Sequence, residues 1–381
     1  MSLKLLSNIH FDKEYNNNFH SNSVFSKFAN LTSDGSCFSI TTSANSILFY
    51  DIGENIDNAS KHFTDDRSIP SILNIEPRLT LKTHDDVRDF CWFPNFSRSC
   101  PDSWCFLIAV RNKPVNLYDS LKGSKHLTYK PINAVGEIAQ IYSIDFHPLG
   151  KYFICGSSSC VYVFDVESPG EHLELRKLST RKTPGQKGIV SCISHNGFGN
   201  GNTYACGSYN STISIYDHNV SRDVSIVGDF LDPEFPLNPI THLKWIDECK
   251  MLVGCRNDFY LRLYDVRGDV SVPVQRFHRP VTSNQKVTFD YRENLVVSGT
   301  SNGDVVFYDL LGRELHKEQL STVAIPVCNF IPSLPLLLLC SGTRNFKEYN
   351  LDSPTTDSEP SSNYTPSPVA FSRLYFTDLV K

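Results

Sequence analysis

The sequence contains no hydrophobic run long enough to cross a membrane. Its most continuous apolar stretch, Leu336–Cys340, is far shorter than the ~20 residues that a membrane-spanning helix needs. The amino terminus lacks the charged start, long apolar region and small-residue cleavage site of a secretory signal, so we expect an intracellular protein. With 40% hydrophobic and 20% charged residues, the chain has the composition of a folded globular protein.

Cysteine pairs at metal-binding spacing are also missing. The chain has 12 cysteines, but no two of them form a C-x-x-C pair. The closest spacings, Cys100 with Cys105 and Cys155 with Cys160, have no matching pair of histidines further along the chain. Most of the others lie in or beside apolar runs, where a free cysteine behaves as a small hydrophobic residue. We therefore predict no zinc site, no other metal and no cofactor.

The common catalytic motifs are absent too. The sequence has no G-x-S-x-G turn, no H-E-x-x-H pair and no phosphate-binding G-x-x-x-x-G-K-[ST] loop. Serine, histidine and aspartate are plentiful, but they often form structural hydrogen-bond networks between strands and turns. We predict a noncatalytic protein without a small-molecule substrate.

What the sequence does contain is a repeated strand ending. Six short apolar runs each finish with an aromatic residue followed by Asp, and the Asp residues are 68, 46, 52, 48 and 44 positions apart. This interval is close to the roughly 40 to 45 residues of one WD40 propeller blade. The runs are Ile47 to Asp51, Asn116 to Asp119, Val161 to Asp165, Ile213 to Asp217, Leu261 to Asp265 and Val305 to Asp309.

The chemistry of this motif explains why it would repeat. We expect the aliphatic residues on one face of the strand, the terminal aromatic packed against the next blade, and the Asp accepting backbone hydrogen bonds in the following turn. A second run with a small-residue end comes before several of these motifs. Examples are Phe153 to Ser157, Tyr204 to Ser208, Met251 to Cys255 and Leu295 to Gly299.

These repeats predict an all-β fold, a seven-bladed WD40 β-propeller with an irregular last blade. We assign residues 24–381 to the propeller, with surface insertions near 53–77 and 352–368. Residues 1–23 are an amino-terminal extension and a candidate for the strand that closes the ring. The aromatic–Asp strand of the last blade is expected beyond the second insertion, at Phe371 to Asp378. Closure matters because an open ring leaves strand edges unpaired.

Several segments are more specific than the repeat, and on them the chain resembles the telomerase Cajal body WD-repeat protein family. The resemblance covers most of the sequence from Phe25 to Phe346. The segments are Asp34 to Cys37, Cys91 to Pro94, Gly185 to Ile193, Tyr204 to Tyr209, Thr282 to Asp290 and Pro332 to Leu337.

The resemblance implies a noncatalytic nuclear protein that works with small ribonucleoproteins (RNPs). The chain lacks the long extensions of the animal proteins and resembles the fungal branch, the yeast "synthetic with trimethylguanosine synthase" pre-mRNA splicing protein. The main expectation is therefore a scaffold for spliceosomal small nuclear RNPs, with small nuclear RNA or RNP proteins as partners. Two alternatives stay open: a factor that binds and localises small Cajal-body guide RNA or telomerase RNA, and a general adaptor such as a ubiquitin-ligase substrate receptor.

Any RNA contact must come from a local basic patch, because a net charge of −5 excludes a broad basic field. One candidate patch lies between the third and fourth blades, and others follow the apolar strands of separate blades or precede a strand. Structural hydrogen bonding in turns is the competing interpretation. The candidates are Arg111, Lys113, Arg176, Lys177, Arg181, Lys182, Gln186, Lys187, Arg256, Asn284, Gln285, Lys286 and Arg344.

Overall fold

The computed structural model describes residues 3–9, 24–53, 56, 72–181, 185–220, 225–226, 236–332, 334–343 and 371–377. These residues form thirty β-strands, and Pro101–Ser103 forms a short 3-10 helix. None of the described residues belongs to a helix with the length and apolar character required to cross a membrane. The strands group into seven antiparallel sheets, two of which gain a fifth strand in parallel.

Each sheet is one blade with four antiparallel strands. The first strand of the chain is β1 (Leu3–Ile9). Blade 1 contains β2 (Ser26–Leu31), β3 (Cys37–Thr42), β4 (Ser46–Asp51) and, after the short β5 (Leu73–Ile75), β6 (Leu79–Lys82). Blade 2 contains β7 (Val87–Trp92), β8 (Cys105–Val110), β9 (Val115–Asp119) and β10 (Lys125–Lys130). Blade 3 contains β11 (Ser143–Phe146), β12 (Tyr152–Gly156), β13 (Cys160–Asp165) and, after β14 (Gly170–Glu171), β15 (Glu174–Lys177).

The remaining blades follow the same order. Blade 4 contains β16 (Val190–His195), β17 (Thr203–Ser208), β18 (Ile213–Asp217) and β19 (Ser225–Ile226). Blade 5 contains β20 (Ile240–Trp245), β21 (Lys250–Cys255), β22 (Asp258–Asp265) and β23 (Gln275–Val281). Blade 6 contains β24 (Phe289–Arg292), β25 (Leu295–Gly299), β26 (Asp304–Asp309) and β27 (Glu314–Gln319). Blade 7 contains β28 (Val327–Phe330), β29 (Leu336–Cys340) and β30 (Ser372–Thr377), completed by β1. The predicted seven-bladed β-propeller is confirmed.

The last blade is irregular because its fourth strand comes from the other end of the chain. β1 pairs antiparallel with β30, with Leu5 opposite Tyr375. On its other side, β1 pairs in parallel with β5, which lies inside the stretch predicted to be a surface insertion. Leu73 and Ile75 of β5 contribute to the hydrophobic cluster between blades 7 and 1. Pairing on both sides leaves β1 without a free edge.

The core consists of seven hydrophobic clusters in the described residues, one in each seam between neighbouring blades. Successive side chains of each third strand point to opposite sides of the blade and so pack in the two seams that flank it. Phe49 packs in the seam with blade 2, whereas the next residue, Tyr50, stacks on Phe38 in the seam with blade 7. The same holds for Phe307 and Tyr308 in blade 6.

The terminal aromatic therefore faces the preceding blade, and our prediction that it packs against the next blade was wrong. Alternation along the strand sends the residue before it to the next blade instead. The predicted role of the Asp is confirmed at five of the six motifs, where the carboxylate accepts the backbone N–H two residues further on. These are Asp119, Asp165, Asp217, Asp265 and Asp309.

Candidate nucleic-acid interface

The alternating strands place the connections of every blade on two opposite faces. Connections between second and third strands, and those that lead from one blade to the next, lie on what we call the upper face. Connections between first and second strands, and between third and fourth strands, lie on the lower face. Any residue in a connection can therefore be assigned to a face from its position in the blade.

The described residues among the predicted RNA contacts lie on or close to the upper face. Arg111 and Lys113 are exposed in the β8–β9 turn, and Arg256 is half-buried in the β21–β22 turn. The exposed Lys177, Arg181 and Lys187 belong to the end of β15 and the connection to β16. Asn284, Gln285 and Lys286 lie between β23 and β24. Lys182 and Arg344 lie outside the described residues.

The upper face carries a continuous patch across blades 4, 5 and 6, which we call the Arg256 patch: Tyr209, Arg256, Asn257 and Asn284. The Arg256 guanidinium lies 4.5 Å from the centroid of the Tyr209 ring, and 37% of Tyr209 is exposed. The Asn257 amide donates to Asn284 Oδ1 over 2.8 Å. An exposed aromatic ring beside a guanidinium is a surface on which an unpaired base can stack.

Two of the predicted contacts have structural roles instead. Gln186 is buried, and its amide nitrogen donates to Cys206 O at 2.8 Å and to Thr212 O at 3.0 Å, while its oxygen accepts from the Tyr216 hydroxyl at 3.1 Å. Arg176 extends from β15 towards blade 4 and donates to Glu174 and to the carbonyl of His218, both at 2.8 Å. Because these groups are already used inside the fold, we leave both residues out of the interface proposed below.

The central channel encloses about 540 Å³ and extends to the lower face, because residues of three connections between first and second strands line it. The first strands of all seven blades line it, and its charged side chains are Asp89, Asp145, Lys244, Lys286 and Asp290. Lys286 lies with its ammonium 5.7 Å from the centroid of the Phe28 ring. Thus one of the predicted contacts faces the channel rather than the outer rim.

The carboxylates of the channel hold neighbouring blades together. Asp89 accepts the Ile144 N–H at 2.8 Å, and Asp145 accepts the His195 N–H at 2.7 Å. In the same way Asp290 accepts a backbone N–H of blade 7 and also pairs with Lys244. Each acid links the first strand of its blade to the first strand of the next. Sequence reasoning missed these residues, although an acid inside an apolar first strand was a usable signal.

His242 makes this channel wall sensitive to pH. Burial, together with Lys286, Lys244 and Arg279, holds the pKa of His242 well below its usual range. Below pH ~6.5 the unfolded chain therefore binds a proton at this residue that the native protein does not bind. The contribution of His242 to the free energy of unfolding is fully present above that pH, and it decreases by up to ~1.4 kcal/mol for each pH unit below it. We expect urea unfolding at pH 7.5, 6.5 and 5.5 to show this decline, and His242→Gln to make it shallower.

The control for this measurement is His84→Gln, which changes an exposed histidine in a turn of the upper face. It should leave the pH dependence as in the unmodified protein. Burial also lowers the pKa of His147 and, with Arg176, that of His218, so His242→Gln should remove only a part of the slope. Parallel curves for His242→Gln and the unmodified protein would contradict the assignment to His242.

Within the described part of the chain, no group of three or more His, Cys, Asp or Glu residues is arranged to hold a metal ion. All 12 cysteines are free. Burial raises the pKa of the thiols that lie in strands; that of Cys37, also influenced by Asp51, rises to about 12 and that of Cys340 to about 11. These side chains are inert packing groups rather than nucleophiles.

The fold defines a WD-repeat β-propeller. Residues 133–165 match the family described as WD domain, G-beta repeat. The chain is similar to telomerase Cajal body protein 1 of Mesocricetus auratus: it is 28% identical over 339 residues, covering 85% of the chain and 59% of the relative. With the Homo sapiens protein it shares 29% over 349 residues, covering 85% and 58%.

A fungal relative is also similar. Guanine nucleotide-binding protein negative regulator 1 of Schizosaccharomyces pombe is 25% identical over 247 residues, covering 61% of the chain and 59% of the relative. The chain thus spans about three fifths of the length of these relatives. The resemblance to the telomerase Cajal body family is confirmed, whereas its splicing branch stays a prediction.

Proposed function

We propose that this protein is a noncatalytic nuclear scaffold that binds a small nuclear RNA of the Cajal-body or telomerase class through its upper face. The names of the relatives support this RNA class over the spliceosomal RNAs of our main expectation. The observation that supports the proposal is that exposed basic side chains of blade 2 and of the connection from blade 3 to blade 4 lie on the same face as the Arg256 patch.

The chemistry of this face suits a single-stranded or looped RNA. Tyr209 offers a ring for base stacking, Asn257 and Asn284 offer amide groups, and lysines on the rim offer charge to phosphates. Since the whole chain carries a net charge of −5, contacts outside this face contribute little attraction. The RNA would then be held by a few local contacts, with an affinity that falls as the salt concentration rises.

The first experiment identifies the RNA. Crosslinking of the protein to RNA in nuclei, followed by sequencing, should recover guide RNAs or telomerase RNA. Recovery of spliceosomal RNAs alone would replace this proposal with the splicing scaffold. Recovery of no RNA would favour a protein adaptor, a class to which the name of the fission-yeast relative, a negative regulator of a guanine nucleotide-binding protein, also points.

The second experiment tests the face. We expect Lys187→Glu combined with Arg256→Glu to weaken RNA binding by about tenfold or more, because two attractive charges become repulsive. With fewer phosphate contacts, the affinity should also depend less steeply on the salt concentration. The measurement is a fluorescence anisotropy titration with the recovered RNA at several salt concentrations. Both side chains lie in surface connections, so the thermal unfolding of the variant should be close to that of the unmodified protein.

The matched control carries the same change of charge on the other side of the ring. Lys122→Glu combined with Lys125→Glu alters two exposed lysines of the lower face, at the β9–β10 turn. This double variant should lower the RNA affinity only by the small amount that follows from the change in the net charge of the protein. Equal losses for the two double variants would show that the upper face is not the RNA site.

A further inference from the structure

A cavity of about 400 Å³ opens on the lower face between blades 3 and 4, far from the proposed RNA contacts in the chain's topology. The turn before β12, the end of β13, the strand β15 and the residue after β18 surround it. Its lining residues include Lys151, Tyr152, Asp165, Glu167, Glu174 and His218. A cavity of this size accommodates one large side chain or a small ligand.

Two buried polar atoms of the cavity lining have no partner among the described residues. They are the Tyr152 hydroxyl oxygen and His218 Nδ1. The two rings stack on each other, with centroids 3.9 Å apart and an interplanar angle of 16°. A buried hydroxyl or imidazole nitrogen without a hydrogen bond destabilises the fold, so such groups in a cavity wall indicate a ligand that supplies the partner.

The charge of the cavity selects the kind of ligand. Three carboxylates and one ammonium belong to the lining, and Arg176 compensates only Glu174, to which it is bonded at 2.8 Å. Asp165 and Glu167 then face the single ammonium of Lys151, so the mouth of the cavity carries a net negative charge. Burial and the neighbouring Arg176 lower the pKa of His218 to about 4, which keeps its ring neutral near pH 7 and able to accept a hydrogen bond.

We propose that this cavity binds the side chain of an arginine from a segment of a partner protein. A guanidinium has five N–H donors in a plane, which match the phenol oxygen, the imidazole nitrogen and the carboxylates, and it stacks well on aromatic rings. Leu173, which is 66% exposed beside the cavity, offers an apolar contact to a residue next to that arginine. The protein would then hold a protein segment on its lower face.

RNA is excluded from this cavity by the same charges. Phosphates would be repelled by Asp165 and Glu167, which lie at the end of β13, on the face opposite to Lys187 and Arg256. The inference does not depend on the proposed RNA function, because the cavity and the Arg256 patch share no residue.

The test uses the full chain and a labelled peptide, Gly-Ser-Leu-Arg-Leu-Ser-Gly, in an anisotropy titration. Tyr152→Phe should weaken binding by about tenfold, since it removes one hydrogen bond to a charged group. It should leave thermal stability unchanged or slightly higher, because the hydroxyl that it removes has no partner among the described residues. Glu167→Gln should weaken binding as well, and Glu137→Gln, the same change at an exposed position outside the cavity, should not.

Two further peptides define what would overturn the proposal. Citrulline in place of arginine keeps the shape but removes the charge, and lysine keeps the charge but removes the planar donors, so both should bind several-fold more weakly. The proposal fails if the arginine peptide does not bind, if Tyr152→Phe and Glu167→Gln bind it as the unmodified protein does, or if lysine serves equally well. It also fails if a short single-stranded RNA displaces the peptide.

Discussion

Gly299→Val is expected to destabilise the propeller by about 3 kcal/mol or more, enough to prevent the ring from closing in a protein of ordinary stability. Gly299 ends β25, where the connection that leads into the first strand of blade 7 approaches closely. A Cβ atom at this position would lie 2.0 Å from the backbone oxygen of Ile325 and 2.9 Å from its Cβ. Because the nearest atom belongs to the backbone, relief requires the whole neighbouring segment to move.

The same close approach recurs at the end of the second strand in three other blades. A Cβ at Gly207 would lie 2.6 Å from the Ile240 side chain, and one at Gly254 would lie 2.6 Å from the Phe289 ring. At Gly156 the nearest atoms belong to Ser143 and Val190. The small residue that ends these strands is therefore a requirement of the seam, which packs one blade against the first strand of the next.

Urea unfolding followed by tryptophan fluorescence measures this effect, since Trp92 and Trp245 are buried in two different seams. The matched control is Gly197→Val, in the turn between β16 and β17, where an added Cβ would meet nothing within 4 Å. The control should change the free energy of unfolding by ~0.5 kcal/mol or less. Similar unfolding of the two variants would show that seam contact at Gly299 does not limit closure.

Arg262→Gln is expected to cost about 3 to 5 kcal/mol, because it leaves a buried carboxylate without its cation. The Arg262 guanidinium donates to Asp258 Oδ2 at 2.7 Å, and the two side chains are only 2% and 4% exposed. Both residues belong to β22, the third strand of blade 5. The amide of the shorter glutamine carries no charge to balance Asp258.

Blade 6 offers a matched pair at the surface. Arg313 pairs with Asp309 at 2.6 Å over the same separation of four residues, but its side chain is 73% exposed. Arg313→Gln should hardly change unfolding, since exposed ion pairs contribute little in water. The two variants are compared by the same urea titrations. If Arg262→Gln were as mild as Arg313→Gln, the buried pair would not contribute to the stability of blade 5.

Much of the fold could be predicted, because the sequence motifs that indicate it consist of residues close together in the chain. The aromatic–Asp motifs fall in the third strands of blades 1 to 6, and their spacing sets the number of residues in a blade. The hydrogen bonds of Asp119 and its equivalents could be predicted because the N–H donor is only two residues further along the chain. The direction of the aromatic side chain was predicted wrongly. Alternation along a strand shows that neighbouring residues face opposite blades, but it does not show which residue faces which blade.

The candidate site was only partly open to prediction. Loop position was enough to expect Arg111, Lys187 and Arg256 on the surface, since connections between apolar strands are exposed. The burial of Gln186 and the bond between Arg176 and Glu174 depend on neighbours from another strand or blade. Such contacts have no periodic signal in the sequence.

The sequence by itself determined the strand repeat, the turns and the resemblance to the telomerase Cajal body family, because each of these depends on residues that are close together in the chain. Tertiary structure alone decided that β1 pairs with both β30 and β5, that acids such as Asp89 and Asp290 link first strands across the channel, and that Tyr152 meets His218 at the lower cavity. The physical reason is ring closure, which brings together side chains from different blades and from both ends of the chain.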